Sequence, residues 1–214
     1  MSNNSDGPNF VKAPHQKTHF KTDKDLEDFV KCCDLSTGPL YFLTNFFNIQ
    51  HPKLGTMLFS PFPYQVGLIE TYNNYRHSVA LLPRQAGKST CAAGYLLWYA
   101  MFIPNSTILV AAHKYTGSQE IMQRIRYAYE SCPDHIKAGC TKYNQGSLEF
   151  ENGSRIVSAT TTENTGRGMS ISLLYCLDGD TTTVQIRDKQ THTEETITLA
   201  ALYARLSAAG KILT

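Results

Sequence analysis

The triplet Gly87-Lys88-Ser89 restricts this chain more than any other feature, because of what stands on either side of it. Before it runs the short apolar stretch Ser78-Val79-Ala80-Leu81-Leu82, which reads as a strand. After it, Ser89–Phe102 has the pattern of a strongly apolar helix, closed by Pro104. Gly-Lys-Ser between a strand and a helix is the setting of a phosphate-binding loop. N–H groups in such a loop and at the helix start point at bound phosphate, and the helix dipole adds to the attraction. Leu82-Pro83-Arg84-Gln85-Ala86-Gly87-Lys88-Ser89-Thr90 thus holds the candidate ATP-binding residues Arg84, Gln85, Ala86, Gly87, Lys88, Ser89 and Thr90. Lys88 would reach the β- and γ-phosphates, and the Ser89 hydroxyl is the candidate ligand to Mg²⁺. The loop departs from G-x-x-x-x-G-K-[ST] at its first position, where Leu82 replaces Gly.

The flanking pattern sets the fold class. A helix is expected over Gln65–Tyr75, a second buried strand at Thr107–Ala112 and a second helix over Ser118–Glu130, ended by Cys132-Pro133. Ser147–Phe150 and Ser154–Ser158 flank Glu151-Asn152-Gly153, and Asn-Gly is a strong hairpin signal. Ile171-Ser172-Leu173-Leu174-Tyr175 reads as a further apolar strand. Alternating strands and helices with fully apolar strands imply an α/β fold, a partial P-loop NTPase whose parallel sheet carries flanking helices through right-handed crossovers.

Residues 1–24 are polar and read as a flexible leader with no apolar signal core. Asp25 to Asn48 mixes helical and aromatic signals, and a proline-punctuated stretch follows from His51-Pro52 to Pro63. With 42% hydrophobic and 18% charged residues the chain can bury a sizeable core. Its net charge of +2 is too mild to argue for nucleic acid by itself, and no window is long and apolar enough to span a membrane. Of the six cysteines, all but Cys176 read as small buried hydrophobes in a reducing compartment.

Pro83-Arg84-Gln85-Ala86-Gly87-Lys88-Ser89-Thr90 resembles the divergent phosphate loop of large terminase subunits, the motors that pump and cut tailed-phage DNA. The resemblance runs from about Phe42 to Tyr175 and includes Asn45 to Phe59, Pro63-Tyr64-Gln65, Ala111-Ala112-His113-Lys114, Asn144 to Ser154 and Gly166-Arg167-Gly168. It implies that Gln65 contacts adenine, that Arg84 senses the γ-phosphate, and that Arg167 is offered to a neighbouring subunit's nucleotide, where a guanidinium stabilises the transition state. Its expected partners are double-stranded DNA, the portal, the small terminase subunit and other large subunits in a ring. The expected location is the host cytoplasm, transiently at the procapsid portal.

The resemblance also implies that Asp-Glu should follow the strand ending at Tyr175, the Asp helping to hold Mg²⁺ and the Glu positioning water. Here Cys176-Leu177-Asp178-Gly179-Asp180 follows instead. Cys176 to Val184 resembles the first block of an intein, and Ile197 to Leu206 is similar to the end of the N-terminal pieces of split inteins found in terminase genes. The implied organisation is a leader (1–24), the N-terminal part of a terminase ATPase domain (25–175) and a short β-rich split-intein N-fragment (176–214). The Cys176 thiol would attack the Tyr175 carbonyl, and a complementary C-terminal intein and terminase fragment would finish the splice. The expected Thr-x-x-His block is absent, since His192 follows Lys189-Gln190-Thr191. That histidine is therefore assigned to the complementary fragment. Two other readings stay open: a self-contained small P-loop ATPase or kinase using Asp178, and a non-catalytic nucleotide-binding subunit.

Overall fold

The computed structural model describes residues 11–51, 53–80, 82–83, 85–162, 165–166, 168–177, 183–187 and 194–208. Helix α1 (Asp23–Cys33) starts with a reciprocal cap: Asp25 N donates to the Thr22 hydroxyl at 3.2 Å, and Asp25 Oδ2 accepts from Thr22 N at 3.2 Å. The Thr22 hydroxyl, together with the Lys21 and Thr22 amides, holds the Asp25 carboxyl below its ordinary range. Helix α2 (Gly38–Asn45) begins with proline in its first turn, where a missing N–H costs nothing. The hairpin of β1 (Asn48–His51) and β2 (Gly55–Leu58) then leads to α3 (Pro63–Asn74).

The central helix is α4 (Lys88–Phe102), which is buried almost all round, with Leu97 and Ala93 fully enclosed and Trp98 at 1% exposure. Gly94 lets α2 approach closely, because a Cβ there would lie 2.8 Å from Leu43 Cδ2. The Trp98 indole donates to the Cys32 carbonyl at 2.8 Å and ties α4 to the end of α1. Burial of such side chains is worth about 1.5–3 kcal/mol each, so α2, α3 and α4 act as one packed unit behind the Gly87-Lys88-Ser89 loop.

The main sheet has the order β4-β5-β6-β3-β7, built from β3 (Thr107–Ala112), β4 (Cys140–Tyr143), β5 (Ser147–Phe150), β6 (Arg155–Thr160) and β7 (Leu173–Leu177). Strands β6 and β7 both pair with β3 in parallel, as the crossover pattern requires. The sheet is nevertheless mixed, because β4 and β5 run antiparallel. This corrects the expectation of a parallel sheet: the Asn-Gly turn at Asn152-Gly153 reverses the chain, with Gly153 at φ 82°, and commits β5 to antiparallel pairing with β6. Helix α5 (Tyr115–Ser131) packs against β3, β6 and α4.

Two further expectations are revised. Ser78–Ala80 and Leu82 form no strand, and Leu81 lies outside the described residues. Within the expected leader, Lys12 is nevertheless docked on the domain. Lys12 is 1% exposed, and its ammonium donates to Thr18 Oγ1, the Asp134 carbonyl and the Lys137 carbonyl at 2.8, 3.0 and 3.1 Å. A buried charge is tolerated when every proton finds an acceptor, and polarity alone does not disclose that arrangement.

Past the main sheet, β8 (Thr183–Arg187) and β9 (Glu194–Thr198) form an antiparallel hairpin that runs into α6 (Leu199–Ala208). Arg205 of α6 donates to Glu195 of β9 at 2.6 Å.

Candidate functional site

The candidate phosphate loop turns into α4 through two left-handed residues, Gln85 at φ 65° and Gly87 at φ 76°. Gly87 is required twice over. Its backbone favours glycine, and a Cβ there would lie 2.4 Å from Gln65 Nε2. Thr90 and Cys91 both donate their amides to the Gly87 carbonyl at 3.0 Å. The first-turn amides of Lys88 and Ser89 consequently have no acceptor within the helix. They stand at the positive end of the helix dipole, where an anion is favoured.

The Lys88 ammonium donates to the carbonyls of Leu82 at 2.5 Å and Pro83 at 2.9 Å. It thereby ties the end of the loop to its beginning and holds a positive charge over the concavity. Gln65, at 5% exposure, braces the loop from α3. Its amide nitrogen donates to the Ala86 carbonyl at 3.1 Å and to the Tyr64 hydroxyl at 3.4 Å, while its amide oxygen accepts from Phe62 N at 2.9 Å. With both amide protons engaged, Gln65 must release the Ala86 carbonyl or the Tyr64 hydroxyl before it can donate to an adenine edge.

Tyr64 is a participant the sequence reading named only as part of a motif. Its hydroxyl donates to the Ala86 carbonyl at 3.2 Å, and its ring stacks on Phe62 with centroids 5.9 Å apart. Tyr64, Leu82, Pro83, Gln85 and Ala86 line a pocket of about 320 Å³ beside the loop. A hollow of about 460 Å³ between α2 and α3, reaching Tyr41 and Glu70, holds none of the expected site residues.

The end of β7 completes the neighbourhood. Tyr175 pairs in register with Val110, Cys176 with Ala111 and Leu177 with Ala112. Burial pushes the Tyr175 phenol up to about 12, and the neighbouring Ser89 hydroxyl pulls it partly back. The first turn of α4 and the end of β7 are therefore neighbours, with Ser89 close to Tyr175. No sequence motif announces this proximity, since the two residues are 86 positions apart (175 − 89). Burial also pushes the Cys176 thiol up to about 11. At neutral pH such a thiol is ionised to roughly one part in ten thousand.

Gln65, Gln85, Ala86, Gly87, Lys88, Ser89 and Thr90 are thus brought together, and Cys176 stands one residue beyond Tyr175, the neighbour of Ser89. Arg84, Arg167, Asp178 and His192 lie outside the described residues. Gly166 and Gly168, which flank Arg167, both have left-handed backbones, at φ 83° and 76°. No helix among the described residues is long and apolar enough to cross a membrane.

Residues 79–182 match the family model described as terminase large subunit, T4likevirus-type, N-terminal. The match begins just before the candidate phosphate loop and continues through β7.

Proposed function

We infer that this chain is a terminase large-subunit fragment, the N-terminal half of the ATPase that packages phage DNA, joined at Tyr175-Cys176 to the N-terminal fragment of a split intein. The observation that carries the first part is the loop-to-helix unit Gln85–Thr90 set against the end of β7, within the segment that matches the terminase family. The residues fit a magnesium nucleotide. The amides of Lys88 and Ser89 would donate to phosphate oxygens, Lys88 would neutralise charge at the β- and γ-positions, and the Ser89 hydroxyl would serve the metal. MgATP supplies the phosphoryl group whose transfer to water drives the motor. Arg84 attends the γ-phosphate within the subunit, and Arg167 serves the nucleotide of a neighbour in the ring. Double-stranded DNA, portal and small subunit are the remaining partners, met in the host cytoplasm and at the procapsid portal.

Support for the second part comes from the junction. Tyr175, Cys176 and Leu177 share one strand, while the Asp-Glu pair expected after Tyr175 is missing. In the splice, the Cys176 sulfur bonds to the Tyr175 carbonyl carbon. The peptide C–N bond breaks, and the thiol proton passes to the released amine. The side-chain thiol or hydroxyl of the residue that follows the intein in the complementary fragment then takes the acyl chain, and its proton returns to the Cys176 sulfur. Cyclisation of the intein's last residue, an Asn, breaks the peptide bond to that residue and frees the intein, and an acyl shift to the released amine leaves a peptide bond. With its thiol protonated and its peptide in the β7 ladder, Cys176 waits for the activating histidine of the partner.

The test mixes this chain with a polypeptide that carries an intein end, then a Cys, Ser or Thr to take the acyl chain, and continues into Asp-Glu. Mass spectrometry should find a new bond after Tyr175, and Cys176→Ala should abolish it. Normal ligation by Cys176→Ala would overturn the assignment.

A further inference from the structure

We propose that the hollow between α2 and α3 is a binding site for a primary ammonium group on an alkyl stem, carried by a free amine or by a lysine side chain. None of the residues lining this hollow belongs to the candidate nucleotide site.

Helical spacing builds the walls. The start and body of α2 supply Thr37, Leu40, Tyr41 and Thr44, at i, i+3, i+4 and i+7, which lie along one helix face. The end of α3 supplies Glu70, Asn73 and Asn74 at i, i+3 and i+4. With Ser36 they enclose about 460 Å³, within the range of about 300–1,000 Å³ that small-molecule sites occupy. The rim is fixed before any guest arrives, because the Asn73 amide donates to the carbonyls of Leu35 at 2.8 Å and Ser36 at 3.4 Å. Leu40 and the Tyr41 ring offer an apolar wall to an alkyl stem.

The hydroxyl protons of these walls are already committed. Thr37 donates to Asp34 Oδ1 at 2.9 Å, Thr44 to the Leu40 carbonyl at 2.9 Å, and Tyr41 to Asp28 Oδ1 at 2.6 Å. The Asp28 carboxylate holds the Tyr41 phenol up to about 12, so that proton stays in place. What the three oxygens retain is the capacity to accept. Glu70 adds a carboxylate that has no ion pair or hydrogen bond among the described residues, and the C-terminal end of α3 adds partial negative charge. The start of α2 would favour an anion, but Asp34 Oδ1 already accepts from the Ser36 and Thr37 amides at 2.9 and 2.6 Å. Lys31 lies over the Tyr41 ring at 5.4 Å, and its ammonium is paired with Glu27 at 2.6 Å. A hollow of acceptors with an unpaired carboxylate selects a guest that brings both positive charge and N–H donors.

Titration of the intact chain with n-butylamine at neutral pH, followed by amide NMR, tests the site. Saturable shifts are expected at Thr37, Thr44, Glu70 and Asn74, with a Kd in the millimolar range for so small a guest. Tetramethylammonium carries the same charge but no N–H donor, and should bind about tenfold more weakly. Glu70 is exposed, so Glu70→Gln should leave the spectrum unchanged elsewhere while weakening n-butylamine binding about tenfold. Equal affinity for the two cations, unchanged binding by Glu70→Gln, or shifts that never saturate would each overturn the site. 1,4-Diaminobutane and N-acetyl-lysine amide then separate the two sources. Tighter binding of the diamine assigns a free amine, and tighter binding of the lysine derivative assigns a lysine side chain of a partner protein.

Discussion

The side-chain amide of Gln65 donates to the Ala86 carbonyl at 3.1 Å and stands where a Cβ on Gly87 would have to go, 2.4 Å from Gln65 Nε2. Helix α3 therefore braces the candidate phosphate loop directly. Gln65→Ala removes this brace and should weaken ATP binding about tenfold, equivalent to about 1.4 kcal/mol. Gly87→Ala adds backbone strain of about 1–3 kcal/mol as well as the clash, and should weaken it more. Because truncating Gln65 vacates the space that the added methyl group needs, the double variant should lose less than the sum of the two. Titration with a fluorescent ATP analogue measures all three, and strict additivity would refute the contact.

Asn152 makes a structural prediction away from the site. Its amide donates to the carbonyls of Ala100 at 2.9 Å and Met101 at 3.0 Å, closing the C-terminal end of α4 from the hairpin turn. Asn152→Ala should cost about 1–3 kcal/mol. Calorimetry should register a Tm lower by several degrees, and an unchanged Tm would mean that the turn does not hold the helix.

Buried thiols and phenols give the stability a direction with pH. Burial raises Cys91 and Cys176 to about 11 from an ordinary 9.0, and Cys32 and Tyr175 to about 12. A raised acid keeps its proton longer in the folded state than in the unfolded one. Its contribution is whole below the unfolded pKa and is lost as pH climbs through the folded value. Denaturant midpoints should stay level from pH 7 to about 8.5, then fall steadily toward pH 11. Cys91→Ala should flatten part of that fall. A midpoint constant to pH 11 would contradict the burial of these groups.

Periodicity disclosed the elements closest to the site. Thr107–Ala112 is β3 to the residue, and the helix read from Ser89 begins at Lys88. Local chemistry suffices there, since a continuous apolar run and a glycine turn depend little on distant partners. Ser78–Leu82 shows the opposite case: its composition states a strand, but a strand exists only when a neighbour pairs with it. Lys12 shows another limit, because its burial depends on carbonyls from Asp134 and Lys137 that no local pattern predicts. The proximity of Ser89 and Tyr175 likewise exists only once β7 has paired with β3.

The central claim is a nucleotide site that is half built, and phosphate release by the purified chain tests it most directly, measured beside equilibrium MgATP binding. The account predicts binding that Lys88→Ala abolishes, with phosphate release at the background rate and unaffected by Asp178→Asn. Steady turnover that survives Cys176→Ala and disappears in Asp178→Asn would contradict it, and would make this chain a complete small ATPase.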